Sequence, residues 1–235
     1  DDTVKIINLL QKEYSKKILF KEIGSVDAEG ITKARQEMLN QTKSDWFLIV
    51  DGDEVWWRGS IEKVVNTIQN DKSFKALVMP VFNLLGDIYH YQEESAGRYH
   101  FLGKKGHMNL RAINRKIPGL HLKHHYPLEG FYDKDEKLLQ DFNDGSVKFI
   151  DAPLMHFTHL NRSSVVSEDK MVVDRARKLK HELGILFPKD FKYPEVFYLQ
   201  RPQIVPSPWN KASLGYNIRA AVETPLRRIK RRLVK

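Results

Sequence analysis

Three observations predict an α/β fold, with a mostly parallel sheet flanked by helices and a helical extension at the carboxyl end. Helical and strand-like periods alternate from the amino end to about residue 85. The links between them are short. The stretches "DWFLIV" and "KALVMPVFNLL" are continuous apolar runs bounded by polar residues, the pattern of strands covered on both faces.

Each element has its own warrant. "DDTVKIINLLQKEY" reads as a helix, with Asp1 or Asp2 as cap and Val4, Ile7, Leu10 and Tyr14 as its apolar stripe. "KILFKEI", residues 17–23, reads as a strand. "DAEGITKARQEMLNQT" reads as a second helix, with Ile31, Ala34 and Met38 on one face. "DWFLIV" follows as a buried strand, "SIEKVVNTIQN" as a helix and "KALVMPVFNLL" as a strand. From about residue 89 to 152 the pattern loosens, with "HMNLRAINR" as a strand and "DKDEKLLQDFNDGSVKF" as a polar, turn-rich stretch. "NRSSVVSEDKMVVDRARKLKHELG" predicts a helix capped by Ser163 or Ser164 and ended by Gly184. The proline-spaced segment 187–208 predicts an ordered, irregular connector. "AAVETPLRRIKRRLVK" is amphipathic, with Val222, Leu226, Ile229 and Leu233 as the stripe.

Composition narrows the function classes. With 235 residues and 41% apolar content, a sizeable core is available. There is no cysteine, so any metal must sit on Asp, Glu or His. That also fits a reducing compartment. No apolar run reaches the roughly 20 residues that span a bilayer. The net charge is +9, but residues 219–235 carry seven Lys/Arg against one Glu. The basic character is largely a tail property, which argues against a nucleic-acid footprint over the whole fold.

"SDWFLIVDGDEVWW" carries the chemistry. Three carboxylates within four residues, Asp51, Asp53 and Glu54, repel one another unless something compensates them. In open α/β sheets, ligands bind beyond the carboxyl ends of strands. Asp51 and Asp53, separated by Gly52, could share a hard divalent cation such as Mg²⁺ or Mn²⁺, which keeps positions open for phosphate oxygens. The bland alternative is a solvated turn.

The wider stretch "EGITKARQEMLNQTKSDWFLIVDGDEVWW" resembles the family 2 glycosyltransferases of the GT-A fold. These carry an ARN-like helix, a few polar residues and an apolar strand ending in Asp-x-Asp. Here the helix has Ala34-Arg35-Gln36, with Gln in place of the usual Asn. "DDTVKII" resembles the end of the family's Gly-Ser-x-Asp-x-Thr turn. The resemblance implies a GT-A-like nucleotide-sugar and acceptor domain over 1–160 that is incomplete at its amino end, because the family's first strand would precede Asp1. Residues 161–235 would form the helical extension with its basic tail.

It also implies roles. The donor would be a nucleoside-diphosphate sugar of UDP or GDP type. The acceptor would be a hydroxyl on a glycan, lipid-linked or cell-envelope molecule. Asp51 would contact metal or ribose, Asp53 the metal, and His156 in "PLMHFTHL" would complete the shell, with His159 as runner-up. Arg35 would reach the diphosphate, and Trp56 would stack on the nucleotide sugar or close the core. An inverting transfer needs a base. Glu129 in "HLKHHYPLEG" is the first candidate and Asp133 the second. His121, His124 and His125 read as a histidine-rich acceptor loop. Arg111 and Arg115 flank a strand, free to bind phosphate or remain solvated. The basic tail would lie on an anionic membrane surface or pack its stripe on the domain. The expected location is therefore cytoplasmic, peripheral at the inner membrane face. Two other readings stand beside this one: a nucleotidyltransferase on a similar sheet, and a non-catalytic relative that binds membranes or polyanions.

Overall fold

The computed structural model of the chain describes residues 2–97, 99–101, 103–142, 144–160 and 180–233. Helix α1 (Thr3–Glu13) precedes α2 (Ala28–Gln41). Then come β1 (Trp46–Leu48), β2 (Glu54–Trp56), α3 (Arg58–Asn70), β3 (Ala76–Leu85) and β4 (Asp87–Tyr91). Strands β5 (Tyr99–Phe101) and β6 (Lys104–Gly106) form a small hairpin beside β7 (Met108–Asn114). Strands β8 (His121–Lys123) and β9 (Gly130–Tyr132) form a second hairpin. They are followed by β10 (Val147–Phe149), β11 (Leu154–His156), β12 (Ile185–Leu186) and α4 (Leu214–Leu233).

Eight strands form one sheet around β3. The class is α/β, but the expected mostly parallel sheet is corrected to a mixed one. Among the described strands only β10 and β11 run parallel to their neighbour β3. Strand β7 returns antiparallel to both β1 and β3, and β4 folds back on β3 through Gly86, whose φ of +74° suits glycine. Helix–strand alternation predicts the class. Strand direction depends on these return connections, which lie where the sequence pattern loosens.

The core follows the two-residue period of β3. Leu77, Met79 and Val81 face α3 with Val64, Phe74 and Leu154. Ala76 and Val78 face the other way, with Leu110, Ile113, Leu139 and Val147. A third cluster gathers Leu84, Ile88, Met155 and Phe187 under the aromatic rings of the connector. The segment 187–208 is irregular apart from one 3₁₀ turn, Glu195–Tyr198, and is ordered by ring contacts such as Phe187–Phe191 at 3.9 Å.

The strand expected at 17–23 does not form: these residues are turn and irregular chain, and Leu19 is 85% exposed. A strand needs a ladder partner, and among the described residues none lies beside it. The helix expected over 161–184 falls mostly outside the described residues. Its last part, 180–184, is irregular, with Gly184 at φ +69°.

Candidate active site

The sheet register assembles the site. Strand β1 pairs with β7, and Ile49 N–H donates to Arg111 O at 2.8 Å, which brings Arg111 beside the end of the apolar run. The chain then turns at Asp51-Gly52-Asp53, closed by Glu54 N–H donating to Asp51 O at 3.0 Å. Gly52 does not have a positive φ, and a Cβ there would meet nothing within 4 Å. The backbone therefore does not require glycine at this point. Strand β11 lies between β2 and β3, with His156 level with Glu54 on one side and Asn83 on the other. Phe157 N–H donates to Asp53 O at 2.8 Å, extending the ladder past the acidic turn.

Helix α2 supplies the second wall. Asp27 caps it by accepting from Gly30 N–H at 2.7 Å. Gln36, which stands where the resembled pattern has Asn, accepts from Leu122 N–H at 2.7 Å and ties β8 to the helix. Tyr126 N–H donates to Ala28 O at 3.2 Å. These bonds hold the loop that ends in Glu129. One residue before Gln36, Arg35 reaches across, donating to Glu129 Oε1 at 2.8 Å and to Asp51 Oδ1 at 2.9 Å.

The compensation of the carboxylates is now explicit. Arg111 is buried, with a side chain 8% exposed; it donates to Asp51 Oδ2 at 3.0 Å and to Glu54 Oε1. Glu54 holds the loop, its other oxygen accepting from Asp51 N–H at 3.3 Å. Burial pushes the Glu54 carboxyl above its usual range, Arg111 opposes that, and Asp51 adds to it. Asp53 pairs with His156, Oδ1 to Nε2 at 3.3 Å. Four carboxylates thus face two guanidiniums and one imidazole.

A polar chain behind His156 fixes its ring. His107 Nε2 donates to Glu93 O at 3.1 Å, so the neutral ring accepts from Asn83 Nδ2 on Nδ1 at 2.9 Å. Asn83 Oδ1 then accepts from His156 Nδ1 at 3.0 Å. That leaves His156 Nε2 pointing at Asp53. An imidazole nitrogen and a carboxylate oxygen 3.3 Å apart can be bridged by a metal cation. Asp53 and His156 therefore fit as two donors to Mg²⁺ or Mn²⁺. Asp51 is engaged by two arginines instead. Among the described residues, no group of three His, Asp or Glu side chains is arranged to hold a metal.

Glu129 has a side chain only 8% exposed. One oxygen is held by Arg35, and the other, Oε2, is buried without a hydrogen-bond partner. A buried carboxylate oxygen in that state lacks the partner such atoms normally have. Arg35, Asp51, Asp53, Glu129 and His156 share one long cleft of about 3030 Å³.

Other expected residues lie elsewhere. Trp56 is 8% exposed and packs in the core with Val64 and Leu154, which excludes stacking on a sugar. Trp57 packs on Phe82 and Phe191 and donates to Lys192 O. Asp133 caps its own turn, accepting from Asp135 and Lys137 N–H at 2.9 and 3.0 Å. Arg115 is exposed and donates to Ser44 O. His121 bonds Gly119 O and faces Glu136, and His124 packs edge-on to Tyr132. His159 is buried in the wall of the same cleft. Sequence reasoning missed Asn83 and His107. A lone Asn inside the apolar run of β3 was the available signal.

Two predictions follow from burial. Arg111→Met strands Glu54 and Asp51, and is expected to cost about 3–5 kcal/mol in chemical denaturation. His107 is held below its ordinary pKa, chiefly by burial. The folded state then binds fewer protons than the unfolded one. The stability His107 contributes is full above pH about 6.5 and is lost as pH falls through the lowered value. His181, lowered by burial and by Arg219, acts in the same direction. Melting temperatures are expected to fall on acidification below neutrality, and less steeply in His107→Gln.

Comparison with known proteins gives one family. The model described as glycosyl transferase family 2 matches residues 1–124. The match includes Arg35, Asp51, Asp53 and Arg111 and stops before Glu129 and His156. No curated protein matches the chain.

Proposed function

This chain belongs to glycosyl transferase family 2, and from that premise we propose that it is an inverting, metal-dependent transferase using a nucleoside-diphosphate sugar of UDP or GDP type. Glycosyl transfer from nucleotide-sugar donors to acceptors is the family's general activity. The acceptor is a hydroxyl on a glycan or lipid-linked molecule. The observation that carries the finer reading is the Arg35 bridge, which sets the half-satisfied Glu129 beside the Asp51–Asp53 turn.

In this reading Glu129 Oε2 takes the proton of the acceptor hydroxyl as its oxygen bonds to the anomeric carbon. The bond from that carbon to the diphosphate breaks on the opposite face, which inverts the centre. Negative charge gathers on the diphosphate, and Arg35 is within reach of it. Asp53 and His156 would hold Mg²⁺ or Mn²⁺, which supplies positive charge to the leaving group. Asn83 and His107 keep the His156 ring oriented.

The test is nucleoside diphosphate release from UDP- and GDP-sugars with Mn²⁺, with and without added hydroxyl acceptors. Mn²⁺-dependent release of one of the two is expected. A folded protein that releases neither would overturn the transferase reading and leave a non-catalytic relative.

A further inference from the structure

The structure turns the apolar stripe of α4 outward. Leu214, Ile218, Val222, Leu226, Ile229 and Leu233 follow the spacing of one helix face and are 54–81% exposed. The opposite face is docked. Tyr216 OH has Lys180 O and Glu182 O within hydrogen-bond reach at 3.1 and 3.0 Å, and burial pushes its phenol up to about 12, so it stays a donor. Thr224 Oγ1 accepts from Leu183 N–H at 2.9 Å, and Ala220 is fully buried. Arg231 donates inward to Glu93 at 2.8 Å and to Glu182. The helix is therefore fixed by its polar face, with its apolar face left without a partner among the described residues.

Charge selects the occupant. Residues 219–233 carry six Lys/Arg and one Glu. On the helical wheel, Arg219 and Lys230 flank the stripe on one side, and Arg228 and Arg232 on the other. Within the described residues Lys230 and Arg232 make no ion pair. A second copy placed stripe to stripe would bring these cationic rows together. An anionic bilayer offers acyl chains to the stripe and phosphates to its flanks. At 20 residues the helix is roughly 30 Å long. It is too charged to cross a membrane: no described helix is long and apolar enough for that.

We propose that α4 lies flat in the headgroup region of an anionic membrane, with the stripe buried and the flanking cations on lipid phosphates. Arg227 and Lys230 of the same helix line the cleft that holds Asp53 and Glu129. Seating α4 on lipid brings that end of the cleft to headgroup level. The proposal goes beyond the transferase reading and is tested without it.

The experiment is co-sedimentation of the full chain with vesicles of phosphatidylcholine alone, or of phosphatidylcholine with phosphatidylglycerol. Binding is expected to the mixed vesicles and to weaken with salt. Lys230→Gln/Arg232→Gln is expected to weaken it by roughly tenfold or more. Leu226→Gln/Ile229→Gln, an exposed pair whose fold is checked by circular dichroism, is expected to weaken it at least about tenfold. Failure of the wild type to sediment with mixed vesicles overturns the proposal. So does equal binding to both vesicle types, or unchanged binding by the apolar pair. A dimer in ultracentrifugation that the apolar pair dissolves, with no vesicle binding, would make the stripe a self-association face instead.

Discussion

Glu129→Gln is expected to slow sugar transfer by about 10²–10⁴-fold, the range of a positioned general base. The Michaelis constant for the donor should change little, because Gln keeps an oxygen for Arg35 and loses only the ability to take a proton. The site geometry makes the prediction specific. Glu129 is carried on a loop that α2 pins through Gln36 and Ala28, and Arg35 fixes one of its oxygens. Steady-state kinetics with saturating acceptor check it. A variant as fast as the wild type would remove Glu129 from the reaction.

Asp53→Ala is expected to cost roughly 10³-fold in turnover, the loss of several kcal/mol of charge stabilisation at the leaving diphosphate. The substitution keeps the ladder bond of Asp53, which is made by its backbone carbonyl accepting from Phe157 N–H. Asp51→Ala is a different experiment. It removes one of the two carboxylates that Arg35 and Arg111 each engage, so its effect combines site repulsion with lost binding.

The periodic elements were legible because their signals are local. Helices α2 and α3 and strands β1, β3 and β7 show in spacing, and the acidic turn shows as charge density after an apolar run. What depends on distant pairing was not. Residues 17–23 have strand composition and no ladder partner. Arg111 looked like a strand-flanking charge because its partners, Asp51 and Glu54, lie 57 or more positions away and meet it only through the β1–β7 register. Trp56 carries a ring suited to a sugar, but the alternation of β2 points it at Val64 and Leu154. Asp133 had the right chemistry in a loop that folds on itself. The stripe of α4 was visible, but not its direction, which is set by polar anchors at Tyr216, Thr224 and Arg231.

The central claim is that Asp53 and His156 form a cation site serving a nucleoside diphosphate. The most direct measurement is a calorimetric titration of UDP, then GDP, with and without Mn²⁺, into the wild type and Asp53→Ala. The account predicts binding of one nucleotide by the wild type only with Mn²⁺, lost in the variant. Nucleotide binding of equal strength without metal, or retained in Asp53→Ala, would contradict it.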